Sequence, residues 1–371
     1  MGRLLQIVLA ILLALGVYLV VAPTPVEPIA WQPSESRGYV GDFEANDALA
    51  SAELIDLGGV HGPEDAAARV ESGKTVLYVS SQEGKILRIE PATKSVSVFA
   101  ETGGVPLGVE FDSEGNLIVA DAYRGLLSVA PNGAVTTLTN EIGGEPIVYA
   151  DDLDFGPDGV IYFSDASAKF GAEASGSTLD GSVLEILEHG RTGRLLAYDP
   201  ATDETSVVAD GFSFSNGVAT ASDGRSVLMN ETGEYRVLRV YIAGARKGQA
   251  EVVIDGLPGF PDNINAGPPL DDGTPTFFLG LAGPRLPVID DLAGRPFVRK
   301  MISRLPDFLK PAPVPYGFVM QFTEEGDVIR TWQDPNGAYP VTTGAIAPGD
   351  GYLYVTSLEA GELARVPFNQ D

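Results

Sequence analysis

Six segments of the chain share one pattern of hydrophobic and polar positions. Each begins with turn residues that include Gly, and each continues as a run rich in β-branched, aliphatic and aromatic residues, as in a tight turn that leads into a β-strand. The six are ESGKTVLYVSS from Glu71, DSEGNLIVAD from Asp112, GPDGVIYFSD from Gly156, ASDGRSVLMNE from Ala221, LDDGTPTFFLG from Leu270 and PGDGYLYVTSL from Pro348. Most are followed by one or two further short strands, so the repeating unit holds four strands. Such repeats, with a period of about 40 residues or more, predict an all-β fold, a six-bladed β-propeller.

The last repeat lacks a strand of its own. It ends after its third strand at LARVPF, residues 363–368, whereas the strand AELIDLG, residues 52–58, precedes the first full unit. We expect this early strand to supply the missing fourth strand and close the ring, because closure removes exposed strand edges. Two β-sandwich domains are the main alternative, but they do not explain six matching units. The propeller is therefore predicted to span residues 51–371.

The N-terminus carries a long apolar run. From Leu4 to Ala22 the chain reads LLQIVLAILLALGVYLVVA, and about 20 such residues span a bilayer as a helix. A cleaved signal peptide, the alternative, usually has a shorter apolar region. We predict a transmembrane anchor over residues 1–22, with Arg3 keeping the N-terminus cytoplasmic and the remainder extracytoplasmic, periplasmic or lumenal. Residues 23–50 begin PTPVEPIAWQP and are predicted to form a Pro-rich, stiff tether.

Composition limits the chemistry. The net charge of −27 argues against nucleic acid as a partner, because phosphates need a basic surface, and it suits the binding of hard cations. The absence of cysteine excludes disulfides and thiolate metal sites. The sequence has two histidines, His61 and His189, which argues against a multi-histidine zinc site. His189 lies in a polar insertion and is expected to have no functional role.

Polar residues recur where each repeat opens. The first strands of a propeller line its central channel, and their openings are GPEDAA with Glu64, PLGVEF with Gly108, ADDLDF with Asp151, SNGVAT with Asn216, PDNINA with Asp262 and Asn263, and TTGAIA with Gly344. Each Asp or Asn alone is explained by turn capping. Four carboxylates or amides at nearly the same phase are better explained by one shared cation. Oxygen-only ligands favour calcium or magnesium, and an irregular ligand set favours one axial calcium ion.

Three stretches resemble the strictosidine synthase-like family: YADDLDFGPDGVIYFSDASAKFG, LLAYDPATDETSVVADGFSFSNGVATASDG and LPGFPDNIN. The resemblance extends from about Gly58 to the end, within a wider clan that includes paraoxonases and gluconolactonases. It implies a six-bladed propeller with axial calcium, a lactonase or esterase activity, and membrane association in some members. It also implies metal-ligand roles for Glu64, Asn216 and Asp262, with Asn263 as a second-tier ligand. Asp151 departs from the Asn that is usual in the lactonases.

A hydrolytic function follows as a hypothesis. The metal would polarise a lactone or ester carbonyl, with Asp262, or Asp151, as the general base and His61 as an alternative base. True strictosidine synthases use a Glu near the last blade for amine–aldehyde condensation, and GAYPVTTGAIAP, residues 337–348, offers none, which argues against that reaction. The alternative function is a non-catalytic, metal-stabilised propeller that serves as a binding or assembly platform at the membrane.

Two units carry insertions, residues 166–190 and 282–316. The second contains RPFVRKMISRLPDFLK, residues 295–310, in which apolar residues are interleaved with cations at helical spacing. Such a short amphipathic helix is suited to an anionic lipid surface. A lid over the channel, or a helix packed on the propeller rim with its cations exposed, fits the same pattern.

Overall fold

The computed structural model describes residues 2–306, 309 and 314–369 and contains six four-stranded antiparallel sheets. In five sheets the strands follow one another in chain order, while the sixth recruits β1 (Glu53–Asp56) as its outermost strand. This is the six-bladed β-propeller that the repeats predict. Each blade is formed by local hairpins, which is why its sequence period can be recognised.

The first three blades follow β1 directly. Blade 1 contains β2 (Pro63–Glu71), β3 (Lys74–Ser81), β4 (Lys85–Glu90) and β5 (Ser95–Glu101). Blade 2 contains β6 (Pro106–Phe111), β7 (Leu117–Asp121), β8 (Gly125–Val129) and β9 (Val135–Thr139). A small hairpin follows, with strands β10 (Glu141–Ile142) and β11 (Glu145–Pro146). Blade 3 contains β12 (Ala150–Phe155), β13 (Ile161–Asp165), β14 (Gly193–Asp199) and β15 (Glu204–Phe212).

The remaining three blades complete the ring. Blade 4 contains β16 (Ser215–Thr220), β17 (Ser226–Glu231), β18 (Arg236–Tyr241) and β19 (Ala250–Ile254). Blade 5 contains β20 (Gly259–Gly267), β21 (Thr276–Pro284), β22 (Gly317–Thr323) and β23 (Val328–Asp334). Blade 6 contains β24 (Thr342–Ile346), β25 (Tyr352–Ser357) and β26 (Glu362–Pro367).

The ring closes through β1, as predicted. β1 pairs antiparallel with β26, with Ile55 opposite Leu363. Both side chains are fully buried and belong to an apolar cluster that also contains Leu77 and Tyr354, so the closing strand joins blade 6 to blade 1. Because the first and last strands of the propeller share one sheet, the two ends of the ring are hydrogen-bonded to each other.

All six inner strands carry a β-bulge near their first residues. In each pair formed by a blade's first and second strands, two consecutive residues of the inner strand oppose one residue of its neighbour. The bulge residues are Glu64–Asp65, Leu107–Gly108, Asp151–Asp152, Asn216–Gly217, Asp262–Asn263 and Thr343–Gly344. A bulge re-aims side chains at the end of a sheet, and here it repeats around the whole channel.

The second bulge residue holds neighbouring blades together. The Asp65 carboxylate of blade 1 accepts a 2.9 Å hydrogen bond from the Val109 amide of blade 2. The Asp152 carboxylate of blade 3 accepts a 2.8 Å bond from the Val218 amide of blade 4. Both carboxylates are buried, and burial raises the pKa of Asp65 to about 6. These side chains therefore connect blades, and they line a different cavity from Glu64 and Asp151.

The N-terminal helix α1 (Gly2–Val21) makes a single apolar rod. It is long and apolar enough to cross a membrane, and none of its 18-residue apolar window is buried against the propeller. One such helix near an N-terminus is also compatible with a signal sequence.

Residues 23–50, predicted to be a tether, instead pack along the propeller. The Ile29 amide donates to the Glu188 carbonyl at 2.8 Å, and the Arg37 amide donates to the Gly256 carbonyl at 2.9 Å. Phe43 and Leu49 are buried in the clusters of blades 4, 5 and 6. The segment packs because it contributes buried apolar side chains and because its extended backbone forms hydrogen bonds with the propeller surface. The folded body thus includes residues before 51.

Both insertions leave their blades at the end where the inner strands begin. The first joins β13 to β14 and forms α2 (Ala172–Ser175) and α3 (Thr178–Glu188); α3 starts where the Ser177 hydroxyl accepts a bond from the Asp180 amide. The second joins β21 to β22 and forms α4 (Pro287–Asp291) and α5 (Pro296–Ile302), each with proline in its first turn. Proline suits that position because the first helical amides lack intrahelical partners.

Candidate metal centre

Three buried carboxylates meet at the start of the inner strands. Glu64, Asp151 and Asp262 come from blades 1, 3 and 5, and each offers one oxygen within 4.8 Å of the others. All three are buried. The amide of Asn216, from blade 4, adjoins them because its Nδ2 donates to Asp262 Oδ1 at 2.6 Å. Side chains that are far apart in the sequence are thus brought to one point on the ring.

The bulge register shows which residues are equivalent around the channel. Glu64, Asp151, Asn216 and Asp262 are all first bulge residues, as the pattern of openings indicates. In blades 2 and 6, however, the equivalent positions are Leu107 and Thr343 rather than Gly108 and Gly344. The six positions around the ring therefore read Glu, Leu, Asp, Asn, Asp and Thr. Aligning the openings on the residue before each bulge would have revealed this offset of one residue: Pro63, Pro106, Ala150, Ser215, Pro261 and Thr342.

Residues beside the carboxylates hold them in place. Asn263 Nδ2 donates to Glu64 Oε1 at 2.9 Å and to the Glu64 carbonyl at 3.1 Å. The Thr343 hydroxyl also donates to the Glu64 carbonyl. Gly217 permits the neighbouring strands to approach closely, because a Cβ there would lie 2.5 Å from the Asp262 carbonyl oxygen. Thr343 was not among the predicted site residues.

Several oxygens of the cluster have no donor. Glu64 Oε2, Asn216 Oδ1 and Asn263 Oδ1 are buried and make no hydrogen bond within the described part of the chain. Each amide uses its nitrogen on a carboxylate and leaves its oxygen free. A buried hydrogen-bond acceptor without a partner lowers the stability of the fold by about 1–3 kcal/mol. These oxygens would be satisfied by a group that accepts their electron pairs. A metal cation is such a group.

Electrostatics leads to the same conclusion. Burial raises the pKa of Glu64 well above its usual range, and the charges of Asp262 and Asp151 raise it further. Burial and the Asp262 charge likewise raise the pKa of Asp151. Burial raises the pKa of Asp262 to about 7, although the hydrogen bond from Asn216 opposes the shift. Carboxylates in this position stay ionised when a cation compensates them, and an all-oxygen ligand set of this kind fits calcium.

A cavity of about 480 Å³ opens above the cluster. Glu64, Asp151, Asn216 and Asp262 line it, whereas Asn263 lies behind Glu64 and does not. Most of the remaining wall is apolar and comes from the inner strands and from helices α3, α4 and α5: Leu107, Phe214, Phe260, Ile186, Leu187, Ile289, Leu292 and Ile302. The predicted ligands thus form the polar part of a pocket that is otherwise hydrophobic.

Three polar residues of the cavity were not predicted from the sequence. Tyr149 lines it and donates its hydroxyl to the Thr178 carbonyl at 2.7 Å, which ties blade 3 to α3. Gln82 accepts a 2.8 Å bond from the Thr178 hydroxyl, and its buried Nε2 makes no bond among the described residues. Glu359, beyond the 337–348 segment in which no Glu was found, is exposed at the cavity edge. None of the three carries a local sequence signal.

His61 lies outside this arrangement. Its side chain is 62 % exposed and its Nδ1 contacts Glu83 Oε1 at 3.0 Å. It is not among the cavity-lining residues. The chain turns at Gly62, where φ is +67°, and the His61 side chain, two residues before β2, is exposed outside the cavity although it lies three positions from Glu64. The structure therefore does not support His61 as a base at the metal centre.

His189 is structural, which the sequence suggests, but it is buried rather than placed in a polar loop. Its Nε2 lies 3.0 Å from Glu234 Oε1, and its Nδ1 lies 3.1 Å from the Ser213 hydroxyl. Its ring stacks on Trp31 with 4.0 Å between ring centroids. His189 thereby fastens residues 23–50 to the propeller.

Three cations of the basic insertion, Arg299, Lys300 and Arg304, have partners within the protein, whereas Arg295 is exposed. Arg299 is buried and donates to the carbonyls of Leu187 and Ala293 at 3.0 and 3.1 Å, while Lys300 pairs with Glu27. The alternative of a rim helix with all its cations exposed therefore does not describe Arg299, Lys300 and Arg304. Instead α4 and α5 cover the cavity, as the lid alternative anticipates. Lys310, at the end of the predicted helix, lies outside the described residues.

Comparison with known proteins agrees with this architecture. A strictosidine synthase family model matches residues 151–245, and a strictosidine synthase-like N-terminal model matches residues 41–89. The adipocyte plasma membrane-associated protein of Salmo salar is 30 % identical over 399 residues, covering 100 % of this chain and 92 % of that protein.

Two solved structures show the same fold at lower identity. A gluconolactonase from Xanthomonas campestris aligns with a TM-score of 0.58 and 15 % identity, covering 94 % of this chain and 99 % of that one. Regucalcin from Agrobacterium tumefaciens, a calcium-binding protein, aligns with a TM-score of 0.57 and 14 % identity. The alignment covers 85 % of this chain and 93 % of that one. Given the family models and the full-length relative, the chain belongs to the strictosidine synthase-like family.

Proposed function

We propose that this protein is a calcium-dependent hydrolase of lactones or esters. The observation that carries the proposal is the cluster of Glu64, Asp151 and Asp262, which lines a mostly apolar cavity together with Asn216. Glu64 Oε2 and Asn216 Oδ1 have no hydrogen-bond donor among the described residues. A metal that only held the blades together would need no such cavity. The gluconolactonase and calcium-binding regucalcin among the structural neighbours support the same direction.

Each residue of the centre has a separate role in this proposal. Calcium, when bound by Glu64, Asp151, Asn216 and Asp262, supplies Lewis-acid polarisation of an ester or lactone carbonyl. Asp262 takes the proton of the attacking water, with Asp151 as the second candidate for this base. Asn216 orients Asp262 through its 2.6 Å hydrogen bond, and Asn263 orients Glu64. The apolar walls hold the remainder of the substrate and exclude bulk water.

The alternative is a non-catalytic platform that uses the metal for stability only. The two functions differ in whether a substrate can reach the metal. The cavity beside the carboxylates gives such access and favours the enzyme. We also propose that α1 anchors the propeller on the extracytoplasmic side of the membrane. Its apolar length and the membrane-associated relative support anchoring, and Arg3 at the N-terminal end supports that orientation.

The test is an assay of the full chain in detergent on a panel of lactones and aryl esters, with calcium and with a chelator. The full chain is needed because residues 23–50 belong to the folded body. Turnover that the chelator abolishes and calcium restores supports the hydrolase. A chelator that lowers the melting temperature of a protein with no turnover on any substrate selects the platform instead.

A further inference from the structure

We propose that the cavity opens onto the lipid bilayer and that the substrate is a lipophilic ester or lactone drawn from the membrane. This inference rests on the proposed function, since it names the substrate class of the same site. Three features carry it: how the anchor helix is attached, which side chains rim the cavity, and how polarity is distributed inside it.

The point where the anchor ends is held by the same insertion that covers the cavity. The Arg304 guanidinium, just after α5, donates to the carbonyls of Leu19 and Ala22 at the C-terminal end of α1. The hydroxyls of Thr24 and Ser303 lie 2.8 Å apart. A cation at the C-terminus of a helix also interacts favourably with the negative end of the helix dipole. The membrane boundary at the end of α1 is therefore placed beside α5.

Exposed apolar side chains lie at the cavity edge and on the helices that cover it. Leu179 and Val183 of α3 and Val288 of α4 line the cavity and are also 46, 42 and 40 % exposed. Phe297 of α5 is 60 % exposed and lies outside the cavity. We call these four residues the apolar rim. Exposed aliphatic and aromatic residues on short helices next to a transmembrane anchor are suited to insertion at a bilayer surface.

The interior of the cavity matches an amphiphilic ligand. Its carboxylates Glu64, Asp151 and Asp262 lie together at one end, and Arg299 and Glu359 are the other charged residues of the lining. Most of the remaining wall is aliphatic and aromatic. The volume of about 480 Å³ lies within the usual range of small-molecule pockets, about 300–1,000 Å³. A molecule with one ester or lactone group and a hydrocarbon chain would place its polar end at the metal centre and its chain toward the rim.

The orientation is tested first without any activity. The full chain carrying Phe297→Trp is reconstituted in phosphatidylcholine vesicles, and fluorescence is compared between ordinary and brominated lipid. The matched control is Val70→Trp, because Val70 is 72 % exposed at the far end of β2 from Glu64. After subtraction of the signal from Trp31 and Trp332, we expect about twofold quenching of the Phe297→Trp signal and none in the control. Equal quenching by brominated lipid at both positions would overturn the proposal.

The substrate class is tested next on short- and long-chain lactones supplied in vesicles. For Phe297→Glu we expect turnover of the long-chain lactone to fall about tenfold, with turnover of the water-soluble short-chain lactone unchanged, because a charge at the rim weakens contact with the bilayer. Val70→Glu should change neither rate. Equal losses on both substrates would refute membrane access. No turnover of either lactone by the wild type would refute the proposed hydrolase, while the fluorescence result would still decide the orientation.

Discussion

Asp262→Asn separates the role of the site in metal binding from its role in packing. The change keeps the side-chain shape and the acceptor for Asn216 Nδ2, but it removes one of three charges within 4.8 Å of each other. Without metal, the variant should be as stable as the wild type or more so, because the repulsion that raises the pKa of Glu64 is relieved. With calcium, the wild type should be the more stable protein.

The size of the effect follows from linkage. Calcium at 100 times its dissociation constant stabilises the wild type by about 2.7 kcal/mol. If losing a charged ligand weakens binding about 100-fold, the same calcium stabilises the variant by only about 0.4 kcal/mol. At roughly 2 °C per kcal/mol for a large domain, the calcium-dependent rise in melting temperature falls from about 5 °C to about 1 °C.

The assay is thermal unfolding of the full chain followed by circular dichroism, in calcium and in chelator. Asp271→Asn, which neutralises an exposed turn carboxylate of the same blade, is the matched control and should behave as the wild type. A variant at Asp262 that keeps the wild-type calcium shift would refute its role as a ligand. In the hydrolase assay, Asp262→Asn should lower turnover far more than His61→Ala; the reverse ranking would refute the base assignment.

Three further predictions concern other parts of the molecule. Asp65→Ala should lower the free energy of unfolding by about 2 kcal/mol in urea titrations, because the buried Val109 amide loses its acceptor; an unchanged midpoint would contradict a role in joining blades. Burial raises the pKa of Glu110 to about 8, so its contribution to stability is full below pH 4.5 and declines as the pH rises toward 8. Glu110→Gln should therefore stabilise the protein at pH 8 relative to pH 5, by roughly 3–4 kcal/mol, and a pH profile of unfolding equal to that of the wild type would show that the pKa of the carboxyl is not raised in the fold. Gln82→Leu should raise KM with little effect on kcat, because Gln82 lines the cavity and its Oε1 holds Thr178; a loss confined to kcat would place Gln82 in the chemistry instead.

The blade repeat and its closure were predictable because they depend on local chemistry. Each blade is a chain of hairpins between tight turns, and strand order follows chain order in five of the six sheets. Even the non-local closing pair, β1 with β26, could be inferred, since one unit lacked a strand that another segment could supply. The convergence of Glu64, Asp151, Asn216 and Asp262 followed from ring symmetry: equivalent positions of a closed ring must face a common axis.

Contacts between distant surfaces could not be predicted in this way. The bulge that places Leu107 and Thr343 in the ring is a feature of hydrogen-bond register, and His61 lies outside the centre because of one turn at Gly62. The packing of residues 23–50 and the cover over the cavity depend on which apolar and polar groups meet after folding, with Trp31 on His189 as one example. Periodicity and turn chemistry therefore determined the ring and the positions of the carboxylates that meet in it. Only the tertiary structure decided what surrounds the metal centre, because those contacts join segments whose separation in sequence carries no pattern.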